Sequence, residues 1–164
     1  MNYIIYIQIK QYINKIINET NSYDHLTDIY IHTNVSNLTA QEFEQYNNGV
    51  IKIIYHNLKN ENPFYLTWKC RDLLELQKND YDVFMYIEDD ILVPKKAINY
   101  WLDYNDKLII KNLNLGFLRI EVKNDKEYIT DLYGEKFDTE CFINNEKYCV
   151  NNKNPYCAFW IYNK

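Results

Sequence analysis

The sequence contains few of the residues that break or bend a chain, since its 164 residues include only 3 Gly and 3 Pro. This scarcity excludes a collagen-like chain or a flexible linker. Hydrophobic residues make up 47% of the chain, which is enough apolar surface to offset the loss of chain entropy and excludes wholesale disorder. The length fits one domain of roughly 100–200 residues, so we expect a single domain over residues 1–164.

Basic residues and long apolar runs are also scarce. The net charge is −5, the only arginines are Arg71 and Arg119, and no run of five or more Lys or Arg occurs. Because nucleic-acid binding usually needs a basic face that neutralises phosphates, we expect no nucleic-acid partner. No stretch approaches the roughly 20 apolar residues of a membrane span, and the apolar run Tyr3–Ile7 is too short for a signal peptide. We therefore expect a cytoplasmic protein without a membrane span.

The four cysteines match no metal or redox motif. Cys141, Cys149 and Cys157 are spaced eight residues apart, and no CxxC occurs. We expect small buried or free thiols, and a disulfide among these three is an alternative only for an exported protein.

Helical and strand-like segments alternate along the chain. Apolar residues at helical spacing run from Ile5 to Ile17, and Tyr3–Ile7 is either a strand or the first turn of that helix. Further helices are predicted at Leu38–Tyr46, where Thr39 and Glu42 form a capping box, at Phe64–Lys78 and from Pro94 onwards. Strands are predicted at Asp28–His32, Val50–Tyr55, Tyr81–Ile87, Gly116–Val122 and Glu127–Leu132. Phe142–Val150 is a strand or an irregular loop, and Tyr156–Tyr162 is predicted as the first turns of a helix. The alternation predicts an α/β fold with a mostly parallel central sheet and helices on both faces.

Three consecutive carboxylates, Glu88-Asp89-Asp90, follow the strand predicted at Tyr81–Ile87. Adjacent carboxylates repel one another and are costly to hold together unless they are solvated or neutralised by a cation. Open α/β sheets bind ligands at the carboxyl ends of their strands. Carboxylate oxygens suit Mg²⁺ and Mn²⁺, and such an ion would bridge to a diphosphate. The alternative is an exposed acidic turn near the start of a helix.

The region around this acidic triplet resembles the central motif of GT-A type glycosyltransferases, in the family 2-like part of the nucleotide-diphospho-sugar transferase superfamily. Glu88-x-Asp90 occupies the frame of the D-x-D motif in this resemblance. The segments Asn62–Arg71, Gly116–Glu121 and Asn154–Trp160 resemble flanking segments of such proteins in the same order. The resemblance implies a GT-A, Rossmann-like fold and a metal-dependent, hexosyltransferase-like activity. The enzyme would move a sugar from a nucleotide diphosphate sugar to an acceptor hydroxyl, with inversion, and the acceptor would be a glycan, a protein or a small molecule.

The resemblance also implies roles for the acidic residues. Asp90 corresponds to the direct ligand of Mn²⁺ or Mg²⁺, and Glu88 is a second candidate ligand. Glu88 and Asp89 would contact the nucleotide ribose or orient the waters of the metal.

Three further residues are candidates for the same site. Trp68 is predicted to stack on a base or sugar, or else to be a core aromatic. Arg71 is predicted to bind a phosphate or the acidic triplet, or else to form an ordinary surface ion pair. Glu121 is a candidate general base, or else a strand-end charge that points to water, and Arg119 is a candidate to pair with it.

The sequence departs from the family pattern in three ways. It begins close to the first helix instead of with a complete nucleotide-binding strand, and it stops just after Trp160, short of the family's acceptor-binding helices. Many of these enzymes use a late histidine as a metal ligand, whereas His25, His32 and His56 all precede the triplet. A lone histidine is more often structural than a ligand, so none of the three is assigned to the site. The alternative function is therefore a non-catalytic module that binds a nucleotide sugar or a partner domain.

Overall fold

The computed structural model describes residues 3–8, 13–59, 61–130, 136–152 and 158–164. Two compact units are present: unit 1 comprises Met1–Ala97 and Ala158–Lys164, and unit 2 comprises Ile98–Cys157. The helices are α1 (Ile13–Thr20), α2 (Cys70–Gln77) and α3 (Lys95–Ile109), with 3₁₀ helices at Ala40–Phe43 and Pro63–Trp68. The strands of unit 1 are β1 (Tyr3–Gln8), β2 (Thr27–Thr33), β3 (Ile51–Tyr55), β4 (Val83–Glu88) and β9 (Phe159–Asn163). Those of unit 2 are β5 (Ile120–Lys123), β6 (Lys126–Ile129), β7 (Glu140–Ile143) and β8 (Glu146–Cys149).

Unit 1 is built on a mixed five-stranded sheet in the order β3-β2-β1-β4-β9. The pairs β1–β2, β1–β4 and β2–β3 are parallel, whereas β9 runs antiparallel to β4 at the edge. A continuous apolar run forms β4, whose first five residues are all buried. On one face of the sheet, Tyr30, Phe84 and Tyr86 pack with Cys70 at the start of α2.

Unit 2 contains two separate antiparallel hairpins, β5–β6 and β7–β8. Both turn on two residues with positive φ: Asn124 and Asp125 in the first hairpin, Asn144 and Asn145 in the second. Two consecutive residues of positive φ form the turn whose twist matches that of antiparallel strands. The Tyr148 hydroxyl of β8 lies 2.8 Å from the Tyr100 hydroxyl of α3, which links this hairpin to the helix.

The predicted fold class is wrong for this chain. Parallel pairing is confined to four strands of five to seven residues in unit 1, and the remaining strand of that sheet is antiparallel. The other four described strands form small antiparallel hairpins, while α1 and α2 have eight residues each. The described residues therefore form no extended parallel sheet with helices along both faces, as a GT-A or Rossmann-like domain would require. The physical cause lies partly in the Asn and Asp turns, which pair successive strands directly and leave no room for a crossover helix.

Several predicted segments also change type or length. Tyr3–Gln8 is a strand, so the strand alternative for Tyr3–Ile7 is correct and the helix predicted from Ile5 does not include these residues. The helix predicted at Leu38–Tyr46 is reduced to a four-residue 3₁₀ helix, although the Glu42 carboxylate does accept from the Thr39 amide at 2.9 Å, as its capping motif predicts. The helix predicted near the end of the chain is instead β9, because the run pairs with β4.

A partly buried polar network joins β2, β3 and α2 to Tyr81 in unit 1. The Tyr81 hydroxyl donates to the Asp28 carboxylate at 2.7 Å and lies 3.3 Å from the Tyr30 hydroxyl. The Tyr30 oxygen accepts from the Lys52 ammonium at 2.9 Å and from the Gln77 amide at 2.6 Å. Burial first, and then these hydrogen bonds and the Asp28 charge, raise the pKa of Tyr81. The network therefore holds Tyr81 as a neutral donor.

Candidate functional site

The acidic triplet lies where the most apolar strand of the sheet ends. Glu88 is the last residue of β4 and is half-buried, Asp89 and Asp90 form the following turn, and Asp90 is exposed. The Glu88 amide donates to the Ala158 carbonyl at 3.0 Å, and the Ile91 amide donates back to the Glu88 carbonyl at 3.1 Å. The prediction that the triplet follows a buried strand is confirmed, and the tight turn explains why Asp90 is directed into solvent.

The register of the parallel strands shows which residues share this edge of the sheet. Gln8 at the end of β1 is opposite Glu88 on one side and opposite His32 on the other. Neighbouring strands are about 4.8 Å apart, so the backbones at His32 and Glu88 are separated by about 10 Å. His32, Gln8 and Glu88 therefore form one row across the carboxyl ends of β2, β1 and β4.

Two histidines meet at this edge. The Nδ1 atom of His32 lies 2.9 Å from the Nε2 atom of His56, which directly follows β3, and the rings are stacked with centroids 5.1 Å apart. His32 is only 3% exposed. Burial, and then the neighbouring His56, lower the pKa of His32 to about 4. Burial and the Lys69 charge also lower the pKa of His56. The pair is therefore neutral at pH 7, with a single proton between the two facing nitrogens.

Trp68, at the end of the second 3₁₀ helix, and Arg71, at the start of α2, lie on the side of unit 1 where the parallel strands end. The chain leaves the carboxyl end of β3, forms Pro63–Trp68, and then returns along α2 to the amino end of β4, so α2 begins near the carboxyl edge. The influence of the Lys69 charge on His56 agrees with this placement. The Arg71 guanidinium lies 3.7 Å from the centroid of the Trp68 ring, a cation–π contact.

The exposure of Trp68 and the contact of Arg71 decide between some of the roles predicted for these two residues. Trp68 is 56% exposed, so it is a surface side chain and not a core aromatic. Arg71 is exposed, and its contact is with the Trp68 ring. An exposed aromatic ring beside a guanidinium is suited to stacking on a planar or ring-shaped ligand that carries negative charge.

Glu121 occupies a different setting. It lies on β5 in unit 2, opposite Tyr128, and its side chain is exposed, whereas the triplet belongs to unit 1. Arg119 donates from Nε to the Thr130 hydroxyl at 2.9 Å. The environment of Glu121 thus matches the alternative to a general base, which is a strand-end charge that faces water.

At this site the protein would supply only part of the coordination shell of a metal ion, and a bound ligand would supply the rest. No group of three or more His, Cys, Asp or Glu side chains that could enclose a metal ion occurs among the described residues. Mg²⁺ and similar ions are, however, often held by one or two carboxylates while substrate phosphates and water complete the shell. The carboxylates of Glu88 and Asp90 fit that incomplete donor set. A bound ion would neutralise charge on a diphosphate leaving group.

Sequence reasoning missed His32 and His56 as members of this edge. Each stands alone in the sequence, although His32 is the last residue of one predicted strand and His56 directly follows another. The strand-end position that singled out Glu88 was therefore a signal for both. Of the segment Asn154–Trp160, residues 154–157 lie outside the described residues, while Ala158 directly precedes β9 and Trp160 belongs to it.

Comparisons with known proteins identify no family. No protein-family model and no curated protein matches this chain. The resemblance to glycosyltransferases therefore stays a prediction. In the parts of the chain that the structure describes, no helix has the length and apolar character needed to cross a membrane.

Proposed function

We propose that this chain is a glycosyltransferase that moves a sugar from a nucleotide diphosphate sugar to an acceptor hydroxyl. The observation that supports it is the position of Glu88-Asp89-Asp90 at the carboxyl end of β4, in the same row as His32. Ligands that approach parallel strands commonly bind at this end. Three adjacent carboxylates reject a free anion, so donor binding depends on a divalent cation such as Mn²⁺ or Mg²⁺.

The exposed Trp68–Arg71 pair supplies the two kinds of contact that such a donor needs beyond the metal. The free surface of the Trp68 ring suits a base or a sugar ring. The Arg71 guanidinium suits the diphosphate, because its planar donors match phosphate oxygens. Asp90 is the proposed metal ligand, and Glu88 is a second ligand or a contact to the ribose.

A second candidate function is a binding module that holds the nucleotide sugar without transferring it. The exposed setting of Glu121 on β5 favours this candidate, since a strand-end charge that faces water is not held against an acceptor hydroxyl. The two candidates share donor binding and differ only in turnover.

Isothermal titration with UDP, GDP, ADP and CDP in the presence of Mn²⁺ tests donor binding. We expect one of them to bind only with the metal, and Asp90→Asn to weaken that binding at least about tenfold. Asp80→Asn is the matched control, because Asp80 is an exposed carboxylate just before the other end of β4. If none of the four nucleotides binds the folded protein, both candidate functions are wrong.

Release of the nucleoside diphosphate from the corresponding sugar nucleotide separates the two candidates. Steady release with wild-type protein that is lost in Asp90→Asn and kept in Asp80→Asn supports the transferase. Binding without release in the presence of a panel of glycan and small-molecule acceptors supports the binding module. Glu121→Gln should abolish transfer if Glu121 is the base, and should leave it unchanged if Glu121 is only a solvated charge.

A further inference from the structure

Unit 1 contains a groove-like cavity of about 510 Å³, widely open to solvent, beside the antiparallel edge of the sheet. Its apolar walls come from Leu74 of α2, Phe84 of β4, and Trp160 and Tyr162 of β9. This volume falls within the range of about 300–1,000 Å³ that is typical of small-molecule sites. The cavity is therefore large enough for a compact aromatic ligand.

The aromatic wall of the cavity is held in place by the sheet. The Trp160 ring stacks on the Tyr86 ring, with centroids 5.7 Å apart and an angle of 13° between the planes. Tyr162 lies beside Trp160 at 5.6 Å and is 50% exposed. One side of Trp160 is thus fixed against the core while the neighbouring tyrosine leaves apolar ring surface in contact with water. Covering such a surface with another aromatic ring is favourable through both area burial and ring geometry.

The charged residues that line this cavity are both lysines, Lys78 at the end of α2 and Lys164 after β9. The Lys164 ammonium lies 3.5 Å from the carbonyl of Asn79, the residue after Lys78, so the two ammonium-bearing segments are close to each other. Lys78 also contacts Glu75 of its own helix at 2.5 Å, on the exposed surface. A carboxylate at the mouth of the cavity would meet the Lys164 ammonium and the Lys78 ammonium, which also contacts Glu75, beside an apolar floor.

This cavity is separate from the candidate donor site. Phe84 lies four residues before Glu88 on β4, a distance of about 13 Å along an extended strand. Lys78 and Asn79 follow the end of α2 opposite to Trp68 and Arg71. A ligand here would therefore contact the sheet away from the acidic triplet.

We propose that this cavity binds a small aromatic carboxylate. The ring of the ligand packs against Leu74, Trp160 and Tyr162, and its carboxylate interacts with the Lys78 and Lys164 ammonium groups. The proposal is independent of glycosyl transfer, since it involves neither the triplet nor Trp68.

Titration with 2-naphthoate and with 2-naphthalenemethanol tests both parts of the proposal, because these probes share a ring system and differ in charge. The chain has three tryptophans, so ¹H–¹⁵N spectra contain three indole signals, and Trp160→Phe identifies the relevant one. We expect 2-naphthoate to shift the Trp160 indole signal and to leave those of Trp68 and Trp101 in place. It should bind at least about fivefold more tightly than the neutral alcohol, a preference that added salt reduces.

Lysine variants locate the charge contribution. Lys78→Gln and Lys164→Gln should each weaken 2-naphthoate binding by about two- to fivefold and leave binding of the alcohol unchanged. Lys59→Gln, at an exposed lysine in the loop after β3, is the control and should have no effect. Equal affinity for the two probes, an unmoved Trp160 signal, or full affinity in the Lys78→Gln/Lys164→Gln double variant would each overturn the proposal.

Discussion

The neutral His32–His56 pair predicts that the protein loses stability in mild acid. The pKa of His32 is about 4 in the folded state, against an ordinary value of about 6.5 in the unfolded chain. Since the folded-state value is the lower one, the unfolded chain takes up the proton first as the pH falls. The stabilisation is fully present above pH 6.5 and is lost between about pH 6.5 and pH 4.

The size of this loss follows from the difference between the two pKa values. A difference of about 2.5 pH units corresponds to about 3 kcal/mol once the pH is well below 4, and to about 2 kcal/mol at pH 5. The cause is structural: His32 is buried, and a second proton between the two facing nitrogens would remove their hydrogen bond. A loss of about 2 kcal/mol is a large part of the stability of a typical domain.

Urea unfolding at pH 7.5 and at pH 5, followed by circular dichroism, measures the effect. The carboxylates of the protein also titrate in acid, so the informative quantity is the difference between wild type and His32→Gln, in which the carboxylates are unchanged. We expect His32→Gln to be less stable at pH 7.5 but to lose about 2 kcal/mol less than wild type between the two pH values. His56→Gln should retain part of the acid sensitivity, because burial of His32 remains. An equal acid-induced loss in wild type and His32→Gln would refute the assignment of the effect to this pair.

Three further substitutions test particular contacts, each measured as the free energy of unfolding in urea. Gly49→Ala should destabilise the protein by about 2–3 kcal/mol, because its φ is +145° and an added Cβ would lie 2.1 Å from the Thr27 carbonyl oxygen; Gly116→Ala meets open space and should be near neutral. Tyr81→Phe should cost about 1–3 kcal/mol, since it leaves the half-buried Asp28 carboxylate and the buried Tyr30 hydroxyl each without one partner. Asp125→Gly should stabilise by about 0.5 kcal/mol, because glycine adopts the positive φ of this hairpin turn without strain. The opposite sign in any of these would contradict the corresponding contact.

Local hydrophobic periodicity was sufficient to predict the segments that are long or strongly apolar. The apolar run of β4 and the amphipathic pattern of α3 both lie where the sequence predicts them, with boundaries shifted by one or two residues. These segments are long or strongly apolar, so neighbouring residues alone determine their type. The 3₁₀ helix at Ala40–Phe43 shows the limit of this reasoning, since a correct capping pattern does not determine how far a helix extends.

The prediction of the fold class was wrong because the fold class depends on how the strands pair. The periodicity of apolar residues contains no information about that pairing. The sequence shows strand-like segments at 116–132 and leaves 142–150 open, but their antiparallel pairing follows from two turns of Asn and Asp with positive φ. Asn and Asp are abundant throughout this chain, so their presence alone does not single out these two turns. The pairing of β9 with β4 joins segments more than 70 residues apart, and no local pattern could distinguish it from a helix.

The sequence predicted the acidic residues of the candidate site but not its histidines, again because strand pairing is not visible in local patterns. A rule that concerns one strand, that polar side chains just past its carboxyl end face a ligand-binding edge, is sufficient to identify Glu88 and Asp90. His32 and His56 satisfy the same rule on β2 and β3, but their significance depends on β1 lying between β2 and β4 so that these ends share one edge. That order is produced by pairing across the whole of unit 1. A histidine that stands alone in the sequence is therefore part of a row that forms only when the sheet assembles, and the acidic triplet shares its edge with side chains that bear charge only in acid.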